Sequence, residues 1–337
     1  MANLRTTYMG IELKNPIIIG ASNMVMDLKF AKKLEEAGAA ALVYKSLFEE
    51  QVLFERIQLQ NDLEAFNEIN AEMQRLFPEV EHAGPQEYLV NLKKLKESVN
   101  IPVFASLNCL HKETWVEYAQ LIQDTGVDGI ELNFYAMPEE FDRDARLIED
   151  QQLETLFEVK KKLRIPVAVK LSPFYSNPLQ VISRMDDEDV NAFVLFNRFF
   201  QPDIDLENMK LHFPYNLTPE SDNRLTLRFA GLLYGNINAD ICANTGIFTA
   251  NDVIKMLLAG ASSVQVVSAV MKNGADHIKG MLEGIEKWMD AKGFGYINQF
   301  QGKLARQKIK DPFAYKRAQY VDILLKSRDF YKTYPLR

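Results

Sequence analysis

Only two cysteines, Cys109 and Cys242, occur among 337 residues, and they form no Cys-x-x-Cys pair. That excludes a disulfide framework, a thiolate zinc site and a cysteine-ligated iron–sulfur cluster within the chain, and no metal site is expected. Positive charge is also short: 39 Lys and Arg against 46 Asp and Glu leave a net charge of −7, without the basic footprint that nucleic-acid binding requires. No apolar run approaches the roughly 18–20 residues of a spanning helix. The opening ten residues lack the apolar core and cleavage pattern of a signal peptide, so a cytoplasmic protein is expected. Repeats and low-complexity tracts are absent, and no Gly-x-Gly-x-x-Gly follows the first strand-like run. What remains is ordinary globular composition, 47% hydrophobic and 25% charged, with apolar surface enough to offset the entropy of ordering.

Eight short β-rich runs, at residues 16–20, 39–44, 101–105, 127–132, 165–169, 192–196, 239–242 and 262–267, alternate with amphipathic segments such as 27–37, 85–98, 114–124, 151–163 and 249–259. The runs are nearly continuous in apolar residues, as parallel strands buried on both faces should be. Three helical segments end at Gly38, Gly126 and Gly260 just before a strand, the position where glycine supplies a left-handed cap. Eight such units predict an α/β fold of the (β/α)8 TIM-barrel type; a doubly wound open sheet shares the alternation and is the alternative. Two connections are long. One follows strand 2, from Leu47 to Asn100, with helical apolar spacing over Phe48–Phe77 (Val52, Phe54, Ile57, Phe66, Ile69, Met73); the other follows strand 6, from Arg198 to about Arg228. Both should lie at the C-terminal mouth, where barrels keep their chemistry. Residues 1–337 are read as one domain, with a helical C-terminal extension from about residue 281.

The strand ends carry a polar set: Ala21-Ser22-Asn23, Lys45-Ser46, Asn108, Asn133, Lys170, Asn197-Arg198, Asn244-Thr245-Gly246 and Ser268-Ala269. Each alone reads as a solvated loop residue. Two lysines and several asparagines converging on one mouth suit a flat heterocycle with alternating N–H and C=O groups, and a lysine beside such a ring stabilises developing negative charge. The turns after strands 7 and 8 occupy the usual phosphate position of barrels. Flavin mononucleotide (FMN) fits this description.

The chain resembles the dihydroorotate dehydrogenase family, FMN-dependent barrels of pyrimidine synthesis. The resemblance rests on Asn15-Pro16 with Ala21-Ser22, Lys45-Ser46, Glu131-Leu132-Asn133, Val169-Lys170-Leu171-Ser172-Pro173, Asn197, Thr245-Gly246-Ile247, Gln265-Val266 and Phe300-Gln301-Gly302-Lys303-Leu304, in order along the chain. It implies flavin contacts at Ala21, Ser22, Lys45, Ser46, Asn108, Asn133, Lys170, Thr245, Gly246, Ser268 and Ala269. Lys45 and Lys170 are the candidate catalytic groups, and Asn133 and Asn197 face the pyrimidine. A homodimer is implied as well.

Departures from the family fall mostly on the substrate side. Its strand-4 loop continues Asn-x-x-Cys (or Ser)-Pro-Asn, where the Cys or Ser removes a proton from dihydroorotate; here the run is Asn133-Phe134-Tyr135-Ala136-Met137-Pro138. Alanine accepts no proton, and general-base catalysis is worth about 10²–10⁴-fold. The family's Asn-rich loop after strand 2 is replaced by the Phe48–Phe77 insertion, and its Gly-Thr-Gly-Gly turn by Ala243-Asn244-Thr245-Gly246. Cys109, His111 and Tyr135 are the substitute bases to weigh. Arg198, with Arg224 and Arg228 behind it, is a candidate fork for an anionic group on the substrate. The leading expectation is an FMN oxidoreductase acting on dihydroorotate or a similar dihydropyrimidine, passing electrons to a soluble acceptor or a redox partner protein. The alternatives are a repurposed flavin-binding subunit, and a flavin-free phosphate-binding barrel with a Schiff-base lysine.

Overall fold

The computed structural model describes residues 2–54, 85–136, 141–198, 202–212 and 217–326. Eight parallel strands close into a barrel: β3 (Ile17–Ile19), β4 (Ala41–Phe48), β5 (Val103–Asn108), β6 (Gly129–Phe134), β7 (Val167–Leu171), β8 (Ala192–Leu195), β11 (Asp240–Ala243) and β12 (Ser263–Val266), with β12 pairing back onto β3. All eight expected strands are present, and closure settles the (β/α)8 barrel over the open sheet. Closure matters physically, because a cylinder leaves no unpaired edge. Helices Leu28–Glu36, Gln86–Ser98, Lys112–Gln123, Ala145–Lys162 and Ala250–Ala259 follow strands as expected. Asp27 and Asp144 accept backbone N–H groups as N-caps, Thr249 and Asp252 form a capping box, and Gly38, Gly126 and Gly260 all have positive φ.

Two helices differ from the sequence reading. Pro178–Asp186 is not among the expected segments; Asn177 caps it, and proline is well tolerated in the first turn. Asn223–Leu233 begins inside the expected Arg198–Arg228 connection. The described part of that connection also carries an antiparallel hairpin, β9 (Asp203–Asp205) with β10 (Lys210–His212). Of the expected Phe48–Phe77 helix, residues 49–54 are helical; residues 55–84, with Ile57, Phe66, Ile69 and Met73, lie outside the described residues. Toward the C-terminus, His277–Lys292 packs along Ala250–Ala259, and Ala318–Leu325 is the last described helix.

The N-terminal hairpin, β1 (Thr6–Tyr8) with β2 (Ile11–Leu13), has no counterpart in the sequence reading. It closes the bottom of the barrel. Tyr8, Met9 and Leu13 are buried with Ile18, Val43, Phe104, Ala168, Val194 and Cys242, and Tyr8 meets Phe104 edge-on at 5.6 Å between ring centroids. Met9 donates its N–H to Asp240 Oδ2 at 2.9 Å, and Thr6 Oγ1 donates to the Ser262 carbonyl at 2.8 Å. Among the described residues no helix is long and apolar enough to cross a membrane. Tyr8→Ala should empty this plug and cost about 3–5 kcal/mol of stability, as truncating a buried aromatic does; urea unfolding followed by circular dichroism measures it.

Candidate active site

Side chains along a strand alternate between the two faces, and inside this barrel the inward row changes character as it rises. Two residues after Phe104 stands Ser106, after Gly129 Glu131, after Ala168 Lys170, and after Ser263 Gln265; all four polar residues are buried. Glu131, only 2% exposed, accepts a hydrogen bond on Oε2 from Gln265 Nε2 at 2.6 Å, and its Oε1 lies 3.3 Å from Lys170 Nζ. Either charge alone would be costly to bury; side by side they offset each other's loss of hydration.

Above this layer opens a cavity of about 470 Å³. Of the residues expected at the site, Ala21, Ser22, Lys45, Ser46, Asn108, Asn133, Lys170, Asn197, Arg198, Thr245, Gly246 and Ser268 all line it. Ala269 does not, its side chain being fully buried in the helix Ser268–Asn273. Asn197 Nδ2 donates to Asn133 Oδ1 at 3.0 Å, Ser46 and Ser106 share a 2.7 Å hydroxyl contact, and Lys45 Nζ reaches Gln51 Oε1 at 3.4 Å. Gln265, Tyr135, Phe48, Thr218 and Phe248 also line the cavity. Glu131 and Gln265 entered the sequence reading only as family phrases; counting back in twos from Asn133, and from the strand-8 turn, is the signal that finds them.

The turn after β11 is held from behind. Thr245 and Gly246 have φ of 75° and 71°, a conformation that is strained for a β-branched residue. A Cβ on Gly246 would lie 2.6 Å from the Asn223 amide nitrogen, so only glycine fits there. Asn223 Nδ2 donates to the Gly246 carbonyl and to Asp252 Oδ1, both at 3.1 Å, while Thr245 Oγ1 donates to the Phe196 carbonyl at 2.8 Å. The threonine that replaces a family glycine thus directs its hydroxyl at the backbone beyond β8. Thr218 donates its N–H to Ser268 Oγ at 3.1 Å, which fastens the long connection to the rim.

Arg198 lies at the cavity wall, 3.8 Å from Asp222 Oδ2 through Nε and 3.5 Å from Thr218 Oγ1 through Nη1. Arg224 is exposed away from it, and Arg228 donates to the carbonyls of Ala314 and Tyr315. Of the substitute bases, Cys109 lies outside the cavity lining; burial, with Glu49 and Glu50 nearby, pushes its thiol up and keeps it protonated. His111 faces solvent, paired with Glu49. Tyr135 lines the cavity, but burial raises its phenol, which keeps the group protonated and unable to serve as a base.

More than half of the chain, residues 80–289, matches the sequence pattern of the family described as dihydroorotate dehydrogenase. The chain belongs to this family of oxidoreductases. It is 26% identical over 313 residues to the catalytic subunit of dihydroorotate dehydrogenase B (NAD(+)) of Thermoplasma volcanium, covering 90% of this chain and 98% of that one. It is 28% identical over 233 residues to a putative dihydroorotate dehydrogenase A (fumarate) of Aeropyrum pernix, covering 65% and 72% respectively. To the NAD-dependent dihydropyrimidine dehydrogenase subunit PreA of Escherichia coli it is 22% identical over 325 residues, covering 89% of this chain and 76% of that one.

Glu49, just past β4, fastens that strand's end to the turn between β5 and the helix Lys112–Gln123: its carboxylate accepts from the Leu110 and His111 amides at 2.7 and 3.1 Å, from His111 Nδ1 at 2.8 Å and from Thr114 Oγ1 at 2.9 Å. Burial works against the charge, but these hydrogen bonds outweigh it and lower Glu49 below its ordinary 4.5. Its stabilisation is therefore present above about pH 4.5 and lost as pH falls through the lowered value. The Glu49 hydrogen bond and charge raise His111 above its ordinary 6.5, so that contribution is complete below about pH 6.5 and lost as pH rises through the raised value. This contact should accordingly add most to the thermal midpoint between about pH 4.5 and 6.5. The difference in thermal midpoint between wild type and His111→Gln should be largest in that window and shrink as pH rises above it, and a pH-independent difference would contradict the contact.

Proposed function

We propose that this chain is an FMN-dependent oxidoreductase acting on a dihydropyrimidine-like ring, with dihydroorotate to orotate as its family reaction and a related ring as its better substrate. The observation that carries the reading is the pairing at the cavity floor: Lys170 held against buried Glu131, beside the joined amides of Asn133 and Asn197. FMN suits these residues on three grounds. The cavity has about 470 Å³, within the usual range of cofactor pockets. Ser22 Oγ and Gln265 Oε1 are buried in its wall without a hydrogen-bond partner, and buried polar atoms ordinarily have one. Lysine and amide side chains supply the donors and acceptors that a flavin ring needs.

In this reading Lys45, Ser46, Asn108, Asn133 and Lys170 hold the ring, Ala21 and Ser22 flank it, and the Thr245-Gly246 turn with the Ser268-Ala269 backbone holds the phosphate. Bound FMN supplies the two-electron hydride acceptor. The Asn133 and Asn197 amides orient the substrate ring, Arg198 binds an anionic group on it, and Phe48 and Thr218 shield the mouth from water. Ala136 removes no proton, and Tyr135 keeps its own on the phenolic oxygen. Oxidation of dihydroorotate should therefore be slow. A flavin-free Schiff-base barrel, with Lys45 or Lys170 as the reactive amine, is the third reading; for Lys170 it fits less well, because that amine is engaged by a carboxylate. A homodimer, a cytoplasmic location and a soluble or protein electron acceptor complete the proposal.

Anaerobic addition of dihydroorotate to the FMN-loaded protein should bleach the flavin absorbance slowly, and Ala136→Cys should speed bleaching by about 10²–10⁴-fold. Purified protein that shows no flavin bands and takes up no added FMN would refute the cofactor assignment. Ala136 also favours a second reading, a flavin-binding subunit without its own dehydrogenase activity; absence of bleaching in both wild type and Ala136→Cys would select it. Replacing Arg198 with Met should weaken orotate binding about tenfold or more while leaving flavin content unchanged, consistent with loss of a charge-assisted contact; isothermal titration and an absorption spectrum read the two effects separately.

A further inference from the structure

Charge is unevenly spread along this chain. Ten of its 39 Lys and Arg but three of its 46 Asp and Glu fall within residues 303–337, so that segment carries +7 and the remaining 302 residues carry −14. The described part of the segment, to Lys326, holds seven exposed Lys and Arg and two acids, Asp311 and Asp322. Within it the helix Ala318–Leu325 wears its apolar side outward. At about 100° per residue, Tyr320, Val321, Ile323, Leu324 and Leu325 share an arc of roughly 200°, and these five are 53–76% exposed. Polar Gln319 and Asp322 are the half-exposed residues instead, and Lys326 Nζ donates to Asp322 Oδ2 at 2.6 Å. The helix packs chiefly on the turn Pro312–Tyr315. That turn is fastened to the body, since Arg228 Nη2 donates to the Tyr315 carbonyl at 2.9 Å and the Tyr315 hydroxyl donates to the Leu304 carbonyl at 2.7 Å. A contiguous apolar face left open in this way marks an interaction surface.

We infer that this helix docks on an anionic lipid bilayer, its apolar arc entering the headgroup boundary while the flanking Lys316, Arg317 and Lys326 meet the acidic headgroups. Charge and shape together select this occupant. The cations sit at both ends of the apolar face, the arrangement with which an amphipathic helix lies in an anionic interface, and each Lys or Arg near such a surface adds about fivefold to binding. The arc wraps more than half of the helix, a convex shape that a fluid bilayer accepts as it is and that a protein partner has to match with a deep groove. The acidic remainder of the chain is repelled by the same surface, so the molecule stands on the bilayer with this end down. The contact is peripheral, because no described helix is long and apolar enough to cross a membrane. It does not depend on the flavin reading above.

The whole chain is sedimented with vesicles of phosphatidylcholine and with vesicles that also carry phosphatidylglycerol. The bound fraction should be several-fold larger on the anionic vesicles and should fall as added salt shortens the Debye length. Changing Leu324→Ser together with Leu325→Ser should abolish binding, and Lys316→Gln with Arg317→Gln should weaken it by about tenfold or more. All four side chains are exposed, so circular dichroism of both variants should match the wild type. Absence of binding to the anionic vesicles overturns the inference, and so does binding that survives the leucine pair or ignores salt. The wild-type comparison needs no variant to fold. If the wild type ignores vesicles and the leucine pair instead splits a homodimer on size-exclusion chromatography, a second copy of the chain covers this face and the lipid assignment is wrong.

Discussion

A carboxylate sealed inside a barrel has to be answered by its surroundings, and the answer to Glu131 organises the upper half of this molecule. Lys170 on β7 supplies the counter-charge and Gln265 on β12 supplies a hydrogen bond, so three strands of the cylinder are tied at one height. Below that height the interior is apolar and stoppered by Tyr8 and Met9 from the N-terminal hairpin; above it the cavity begins. The boundary between core and site is thus a plane of charge. Buried ion pairs are weak evidence for added stability, but breaking one leaves an uncompensated charge. That asymmetry makes the layer intolerant of drift.

Around the rim, the connections are secured by buried carboxylates and amides rather than by apolar packing alone. Asp252 accepts from Thr249 while Asn223 bridges it to the Gly246 carbonyl, so the turn after β11 is set by residues from two helices. Glu49 does the same where β4 meets the start of Lys112–Gln123. Each of these groups is fixed by several partners at once, which is how a scaffold keeps its loops within the tolerance that chemistry requires.

The mouth is uneven in its likeness to the family. Twelve of the expected positions line the cavity, whereas Ala136, which stands where the family carries Cys or Ser, does not line it, Cys109 is buried outside it and His111 is turned to solvent.

Much of this was legible without coordinates. The eight apolar runs, the glycine-ended helices and the polar residues at strand ends are local patterns, and they led to the barrel and to twelve residues that line one cavity. Local patterns cannot say which distant groups meet. Tyr8 finds Phe104, Asn197 finds Asn133, and Gln265 finds Glu131 across 134 positions of sequence only because the sheet closes on itself. Alternation along a strand is written in the sequence; the height at which one strand stands against its neighbours, and so which carboxylate faces which lysine, is decided by the shear of the closed barrel.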